Sequence, residues 1–252
     1  MREIRIEEVT EAVKSMCIEA NYELSQDMKE VFCQAVEREK SPLGKKVLGQ
    51  LEENLRIASE DQIPICQDTG MAVVFIKVGQ EVHFTGGSLE AAIHEGVRQG
   101  YKEGYLRKSV VGDPIERING SENMSRIFML KPADGLDGVK EAILTAVRDA
   151  GPNACPPMVV GVGIGGTFEK AAQMAKHALT RTIGTKPEIP WVQKLEDEML
   201  TKINKLGIGP GGLGGSVTAL AVHAETYPTH IAGLPVAVNI CCHVNRHAHR
   251  VL

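Results

Sequence analysis

The spacing of apolar residues changes along this chain, and each change predicts a different element. From about Ile6 to Ser59 apolar positions recur at helical spacing, and three helices are expected. The first carries Val9, Val13, Met16, Cys17 and Ala20 on one face, the second starts after Ser25, and the third after Ser41-Pro42. Serine ahead of a helix can accept from an orphan amide, and proline in the first turn has no amide to satisfy. Residues 1–60 therefore read as a helical opening layer.

The period then shortens. Met71–Val78 and Glu81–Phe84 read as two strands joined at Gly79-Gln80, and Ser88 opens a helix running through Tyr101. Ser125–Lys131 is strand-like, Gly138–Ala150 helical, and Met158–Gly163 a buried strand entering a glycine-rich turn. Thr167 is placed to cap a helix from Phe168 to Thr180, another helix runs from about Trp191 to Leu206 and stops at Gly207, and strands follow at Val217–Val222 and Pro235–Ile240. No repeat or low-complexity linker interrupts the pattern. The expectation is one mixed α/β domain over 1–252, a helical N-terminal layer followed by a mixed sheet with surrounding helices.

Composition narrows the function. A 252-residue chain with 43% hydrophobic and 24% charged residues can bury a substantial core, and its single Trp, four Tyr and five Phe leave aliphatic, Ala and Gly packing to dominate. A formal charge of −4 and no long basic run argue against nucleic acid as the main partner, which leaves a small molecule as the expected substrate. The N-terminus has mixed charges and no signal-peptide core, and the longest apolar stretch, Ile231–Cys242, contains Pro and Asn and is too short to span a bilayer. A cytoplasmic protein without a membrane partner is expected, and six cysteines in a chain this long suit a reducing compartment with ligating or reactive thiols.

Cys66, Cys155 and Cys242 lie in Pro- or Gly-rich polar surroundings, whereas Cys17 and Cys33 lie in helix-periodic stretches and read as small core residues. Three thiolates can hold three irons of a cubane cluster and leave the fourth open as a Lewis acid; four would close it for electron transfer. Spacing alone is weak support. The three cysteines are 89 and 87 residues apart and form no CxxC pair, so three unrelated buried thiols would be the favoured reading on that ground. The glycine-rich runs Gly161–Thr167 and Gly207–Gly215 lack a following Gly-Lys-Ser/Thr, and the first lacks the acidic residue of a dinucleotide site. They are expected to let backbone approach a cluster or substrate, with tight-turn packing as the alternative.

Several motifs in order alter the balance: Ile65-Cys66-Gln67-Asp68-Thr69-Gly70, Asn153-Ala154-Cys155-Pro156-Pro157, Gly209–Gly215, Tyr227-Pro228-Thr229-His230 and Cys242–His249. From about Ile63 onward the chain resembles the α subunit, or N-terminal domain of the fused form, of the iron-sulfur class I fumarase and L-tartrate dehydratase family. The resemblance implies a [4Fe-4S] cluster with one open iron, ligated by Cys66, Cys155 and Cys242. Cys241 departs from the single cysteine expected there; adjacent side chains in an extended segment face opposite ways, and Cys242 keeps the spacing to Arg246-His247-Ala248-His249.

Gln67 and Asp68 would meet substrate, with Asp68 as a proton-transfer group or, equally, an Asx-turn residue. His230 is implied near substrate as a second catalytic candidate, against a plain structural hydrogen-bonder. Arg107 would fork onto a substrate carboxylate, against the usual solvated arginine. Arg246, His247, His249 and Arg250 form a basic cluster that could line the site or pack a partner chain.

What the resemblance implies is reversible hydration of fumarate to L-malate, with a β subunit supplying further groups, including the base, in a higher oligomer of αβ. This sequence carries no such segment, so alone it is expected to be inactive, and the abrupt end at Arg250-Val251-Leu252 is read as that of a shortened chain. L-tartrate dehydration is the alternative within the class. A non-catalytic iron-sulfur redox or oxygen-sensing protein, with Cys241 as a fourth ligand, is the rival of another class, and a zinc module is weaker still because paired knuckles are missing.

Overall fold

A computed structural model describes residues 2–110 and 126–252. The architecture is mixed α/β, as expected, and its described residues gather into two compact units. The first takes the described residues of Met1–Ser25, Glu53–Glu122 and Arg246–Leu252; the second takes those of Gln26–Glu52 and Asn123–Asn245.

In the first unit, strand β1 (Arg2–Arg5) pairs in parallel with β2 (Val82–Thr85), Ile4 opposite Phe84. Helix α1 (Ile6–Tyr22) is apolar on the face expected, and Ile4, Val9, Val13 and Ala92 form the core there, with Cys17 packed against it. In chain order α2 (Gln26–Arg38), part of the second unit, and α3 (Pro42–Asp61), divided between the units after Glu52, come next, then α4 (Leu89–Glu103) of the first unit, whose cap Ser88 accepts from the Ala91 amide at 3.4 Å. Ser41 likewise accepts from Gly44 N at 3.2 Å at the start of α3. Ser25 precedes α2 as expected but does not cap it: its Oγ is buried without a hydrogen-bond partner.

The hairpin expected of Met71–Val78 and Glu81–Phe84 does not form. The turn is present, with Val82 N donating to Gly79 O at 3.1 Å, but β2 finds its partner at the N-terminus. Met71–Val78 lies outside any strand, and Met71, Val73, Val74, Phe75, Ile76 and Val78 are exposed. β2 pairs instead with a partner about eighty positions away, a choice that local alternation does not specify.

The second unit is built on a four-stranded mixed sheet in the order β3 (Arg126–Leu130), β6 (Leu234–Cys241), β4 (Met158–Gly165), β5 (Ala219–Tyr227). Ser125, expected at the start of β3, lies outside the described residues. β4 and β5 run parallel, and β6 is antiparallel to both β3 and β4. Helices α5 (Gly135–Ala150) and α7 (Pro190–Asn204) bury one face through Ile143, Val147, Leu195 and Met199 against Val160, Val162, Val222 and Val238. Helix α6 (Phe168–Ala178), capped by Thr167 accepting from Lys170 N at 3.3 Å, covers the other through Ala171 and Ala175.

That packing explains the first glycine-rich run. A Cβ at Gly161 would sit 2.2 Å from the Ala175 carbonyl oxygen, and one at Gly163 only 2.0 Å from that of Ala171. Two of these glycines therefore serve helix-on-sheet contact rather than the approach to a cluster or substrate that the sequence suggested. Among the described residues, no helix is long and apolar enough to cross a membrane.

Candidate active site

Within the first unit, the loop after α3 is pinned from several directions. Ile65 is buried, its amide donates to Asn21 O at 2.9 Å, and its carbonyl accepts from Asn54 Nδ2 at 2.9 Å. Cys66 follows with a partly exposed thiol whose sulfur accepts from the Asp68 amide at 3.4 Å. Gly70 N donates to Asp68 Oδ1 at 3.2 Å, so Asp68 does form the Asx-turn weighed from sequence, and its second oxygen is left for other chemistry. Gln67 is exposed beside it.

The same loop meets the segment holding Arg107. Thr69 is buried, its hydroxyl donates to the Arg107 carbonyl, and its amide donates to Ser109 Oγ at 3.4 Å. Tyr101, at the end of α4, donates through its hydroxyl to the carbonyls of Thr69 and Gly70 at 3.3 and 3.2 Å. Burial pushes the Tyr101 phenol up, with the charge of Cys17 adding to it, so it stays a neutral donor. Arg246 completes the frame through Nη2, which donates to the Asp68 carbonyl. Cys66, Gln67, Asp68 and Arg107 are thus gathered in one unit, with the Arg107 side chain exposed. Thr69, Tyr101 and Ser109 were missed in the sequence because Ser, Thr and Tyr gave no signal there beyond adjacency to a motif.

In the second unit, Cys155 and Cys242 sit at one end of the sheet, Cys155 just before β4 and Cys242 just after the antiparallel β6. Cys155 is exposed and left-handed (φ 49°), closing a short 3-10 turn over Gly151–Ala154, with its amide donating to Pro152 O at 3.1 Å. Its carbonyl accepts from His243 Nδ1 at 3.1 Å and from the His243 amide at 3.4 Å, which ties the two cysteine-bearing segments together. Because a carbonyl only accepts, Nδ1 of His243 carries a proton. The His243 ring also meets Phe32 edge-on at 6.3 Å.

The second glycine-rich run cradles this turn. Gly211 N donates to Pro156 O at 2.8 Å, and a Cβ at Gly212 would lie 2.2 Å from Pro152 Cβ. Backbone approach is its use, and what it approaches is the Cys155 turn. The expected opposite facing of Cys241 and Cys242 does not hold: the strand ends at Cys241, and both thiols reach the Val244 carbonyl, at 4.0 and 3.9 Å.

His230 stands apart from these cysteines. It lies in the exposed turn between β5 and β6, at the other end of the sheet, where its Nδ1 accepts from Ala232 N at 3.1 Å. An eight-residue strand puts roughly 25 Å between the two ends. Cys33, expected in a core, is exposed; Met28, Val31, Phe32 and Ala35 take the buried face of α2, and the Cys33 thiol donates to Glu52 Oε1 at 3.2 Å. Cys17 does behave as a core residue, with burial pushing its thiol up.

Matching to family models decides the lineage: the model described as fumarate hydratase (Fumerase) covers residues 10–119 and 119–251. The chain belongs to this family. Among relatives, it is 38% identical to a Methanocaldococcus jannaschii protein described provisionally as an L(+)-tartrate dehydratase subunit alpha, over 95% of this chain and 96% of the relative. It is 27% identical to the L(+)-tartrate dehydratase subunit alpha of Escherichia coli K12, over 96% of this chain and 89% of that one, and to its Shigella boydii counterpart to the same degree.

An iron-sulfur cluster is the cofactor the resemblance implies, and thiols of the kind that ligate one are present in each unit. No disulfide joins any of the six cysteines, and Cys66, Cys155 and Cys242 are exposed or partly exposed rather than sealed in a core. The Asp68 amide aimed at Cys66 Sγ is the kind of donor that tunes cluster thiolates. Among the described residues, the structure does not gather three or more His, Cys, Asp or Glu side chains as a metal-binding group.

Proposed function

We propose that this chain is the α subunit of a hydro-lyase that reversibly hydrates fumarate to L-malate, with a separate β subunit completing the site. The observation that carries the reading is the loop Cys66–Gly70, which holds a candidate ligand and a candidate proton-transfer group and is bonded through Thr69 to the segment bearing Arg107. Family membership supports the reaction class, and the designation of the relatives as alpha subunits supports a β partner.

Cys66, Cys155 and Cys242 would hold the [4Fe-4S] cluster. When bound, such a cluster with one open iron supplies Lewis acidity toward a hydroxyl and a carboxylate of the substrate. The exposed Arg107 guanidinium matches a carboxylate with two parallel N–H bonds and so fixes orientation. Gln67 offers an amide to the substrate hydroxyl. In dehydration a base from the β subunit takes the C3 proton and the C2–O bond breaks. Asp68 hands a proton to the departing oxygen, so that water leaves and fumarate remains; hydration reverses each transfer. Oδ1 of Asp68 is engaged by Gly70, which orients the other oxygen for this exchange. His230 remains a candidate for substrate contact on its motif.

L(+)-tartrate is the second reading, favoured by the relatives' names. It differs from malate by one hydroxyl, and parallel rates decide. With the anaerobically reconstituted αβ complex, kcat/KM is expected to be higher for L-malate and fumarate than for L(+)-tartrate. The reverse order establishes the second reading, and no turnover of either contradicts both.

A further inference from the structure

The two arginines of the C-terminal segment have different surroundings. Arg250 is exposed, and its Nη2 pairs with Glu19 Oε2 at 2.6 Å, an ordinary surface bridge. Arg246 is partly buried, and it spends Nη2 on the uncharged carbonyl of Asp68. Its Nε is buried without any hydrogen-bond partner. Among the described residues no ion pair joins it to the neighbouring Asp68 carboxylate, whose Oδ1 accepts from the Gly70 amide at 3.2 Å.

A guanidinium carries five N–H donors in a fixed fork and never loses its charge in a protein. Removing such a group from water while leaving a donor unsatisfied is costly, unless an anion with two acceptor oxygens fills the fork. Arg246 also lies against the loop where Cys66, Gln67 and Asp68 converge, and Tyr101 holds that loop through the Thr69 and Gly70 carbonyls. Arg107 is bonded to the same loop through its own carbonyl. Two cationic side chains are thereby tied to one short loop, and a dicarboxylate has two anionic ends.

We propose that Arg246 binds one carboxylate of the dicarboxylate substrate, its guanidinium held in place by the bond from Nη2 to the Asp68 carbonyl. This inference rests on the hydro-lyase reading. A cluster thiolate or sulfide is the other anion that could sit there, and the test separates the two.

The αβ holoenzyme is compared with its Arg246→Gln and Arg246→Lys variants by steady-state kinetics, by titration with the unreactive dicarboxylate succinate, and by iron content with cluster absorbance. Loss of a charge-assisted pair is expected to weaken succinate binding and raise KM by roughly 10- to 100-fold in Arg246→Gln. Arg246→Lys should recover part of this, because charge returns without the fork. Iron content and unfolding midpoint should match wild type. Succinate affinity and KM within about twofold of wild type in Arg246→Gln would overturn the inference. So would loss of the cluster with unchanged KM in the molecules that keep it, which would assign Arg246 to the cluster. A wild-type holoenzyme that neither binds succinate nor turns over any dicarboxylate would overturn the hydro-lyase reading itself.

Discussion

The buried hydroxyl of Thr69 donates to the main-chain carbonyl of Arg107, so the loop that begins with Cys66 and the segment that carries the candidate carboxylate-binding arginine are bonded directly to each other. The two stretches are 38 residues apart, and the bond joins them without involving either candidate side chain. Preorganisation of this kind lets a substrate find its partners already placed.

Thr69→Val keeps the shape of the side chain and removes the bond. It should cost about 0.5–1.5 kcal/mol of stability, because the Arg107 carbonyl loses this bond but keeps the one from the Ser109 amide. The activity of the reconstituted complex should fall further than that loss of folded protein explains. Urea unfolding alongside turnover at saturating substrate checks both, and unchanged turnover would show that the bond is structural only.

Glu39 clasps the second unit. It is buried, and its carboxylate accepts from the amides of Lys40, Ser41, Ser216 and Val217 at 2.8–3.0 Å. Burial pushes its carboxyl up, but the amide bonds from Ser216, Ser41 and Val217 outweigh it, and the net displacement is below the ordinary 4.5. Its stabilisation should therefore be complete above about pH 4.5 and be lost as pH falls through the lowered folded-state value. Glu39→Gln should cost about 2–3 kcal/mol at neutral pH, because its NH2 faces amide donors, and should flatten this acid dependence. Unfolding curves between about pH 3 and 7 test it; parallel pH profiles for both proteins would count against this role.

Gly212→Ala places a methyl where Pro152 Cβ would be 2.2 Å away, at a left-handed backbone angle of φ 73°. The cost should be about 2 kcal/mol or more, and the Cys155 turn should bear it. Lower iron retention after anaerobic gel filtration, relative to wild type, is the expected signature. Full retention would separate this turn from any ligand role of Cys155.

How much of this was legible in the sequence varied with the range of the interaction. Helices such as α1, α4 and α5 and the buried strand β4 follow from local periodicity, which needs no knowledge of the partner. β1 did not: Arg2-Glu3-Ile4-Arg5 offers one apolar residue, and its pairing with β2 spans about eighty positions. Met71–Val78 failed in the opposite sense, since its strand-like pattern says nothing about which edge is free. In the candidate site, motifs marked Cys66, Asp68 and Arg107. The bonds from Thr69, Tyr101 and His243 are hydroxyl or imidazole contacts to distant carbonyls, and such contacts leave no periodic trace.

His230→Asn retains a side-chain acceptor for the amide two residues on, the bond that His230 makes with Ala232. Stability should stay within about 0.5 kcal/mol of wild type. If His230 meets substrate in the assembled enzyme, kcat/KM should still fall by about 100-fold. Unchanged kcat/KM would leave His230 as a turn residue.

Cys241 and Cys242 both reach the Val244 carbonyl, so geometry at the strand end does not choose between them. With three-cysteine ligation through Cys242, Cys242→Ser should lose the cluster and Cys241→Ser should keep it. Loss in Cys241→Ser would favour the redox or sensing alternative.

The most direct test of the account is electron paramagnetic resonance of the reduced, anaerobically reconstituted αβ complex with and without L-malate. A cubane signal that shifts on adding malate is the result predicted for a three-cysteine cluster whose open iron meets substrate. A signal indifferent to malate, or no cluster at all, would contradict it.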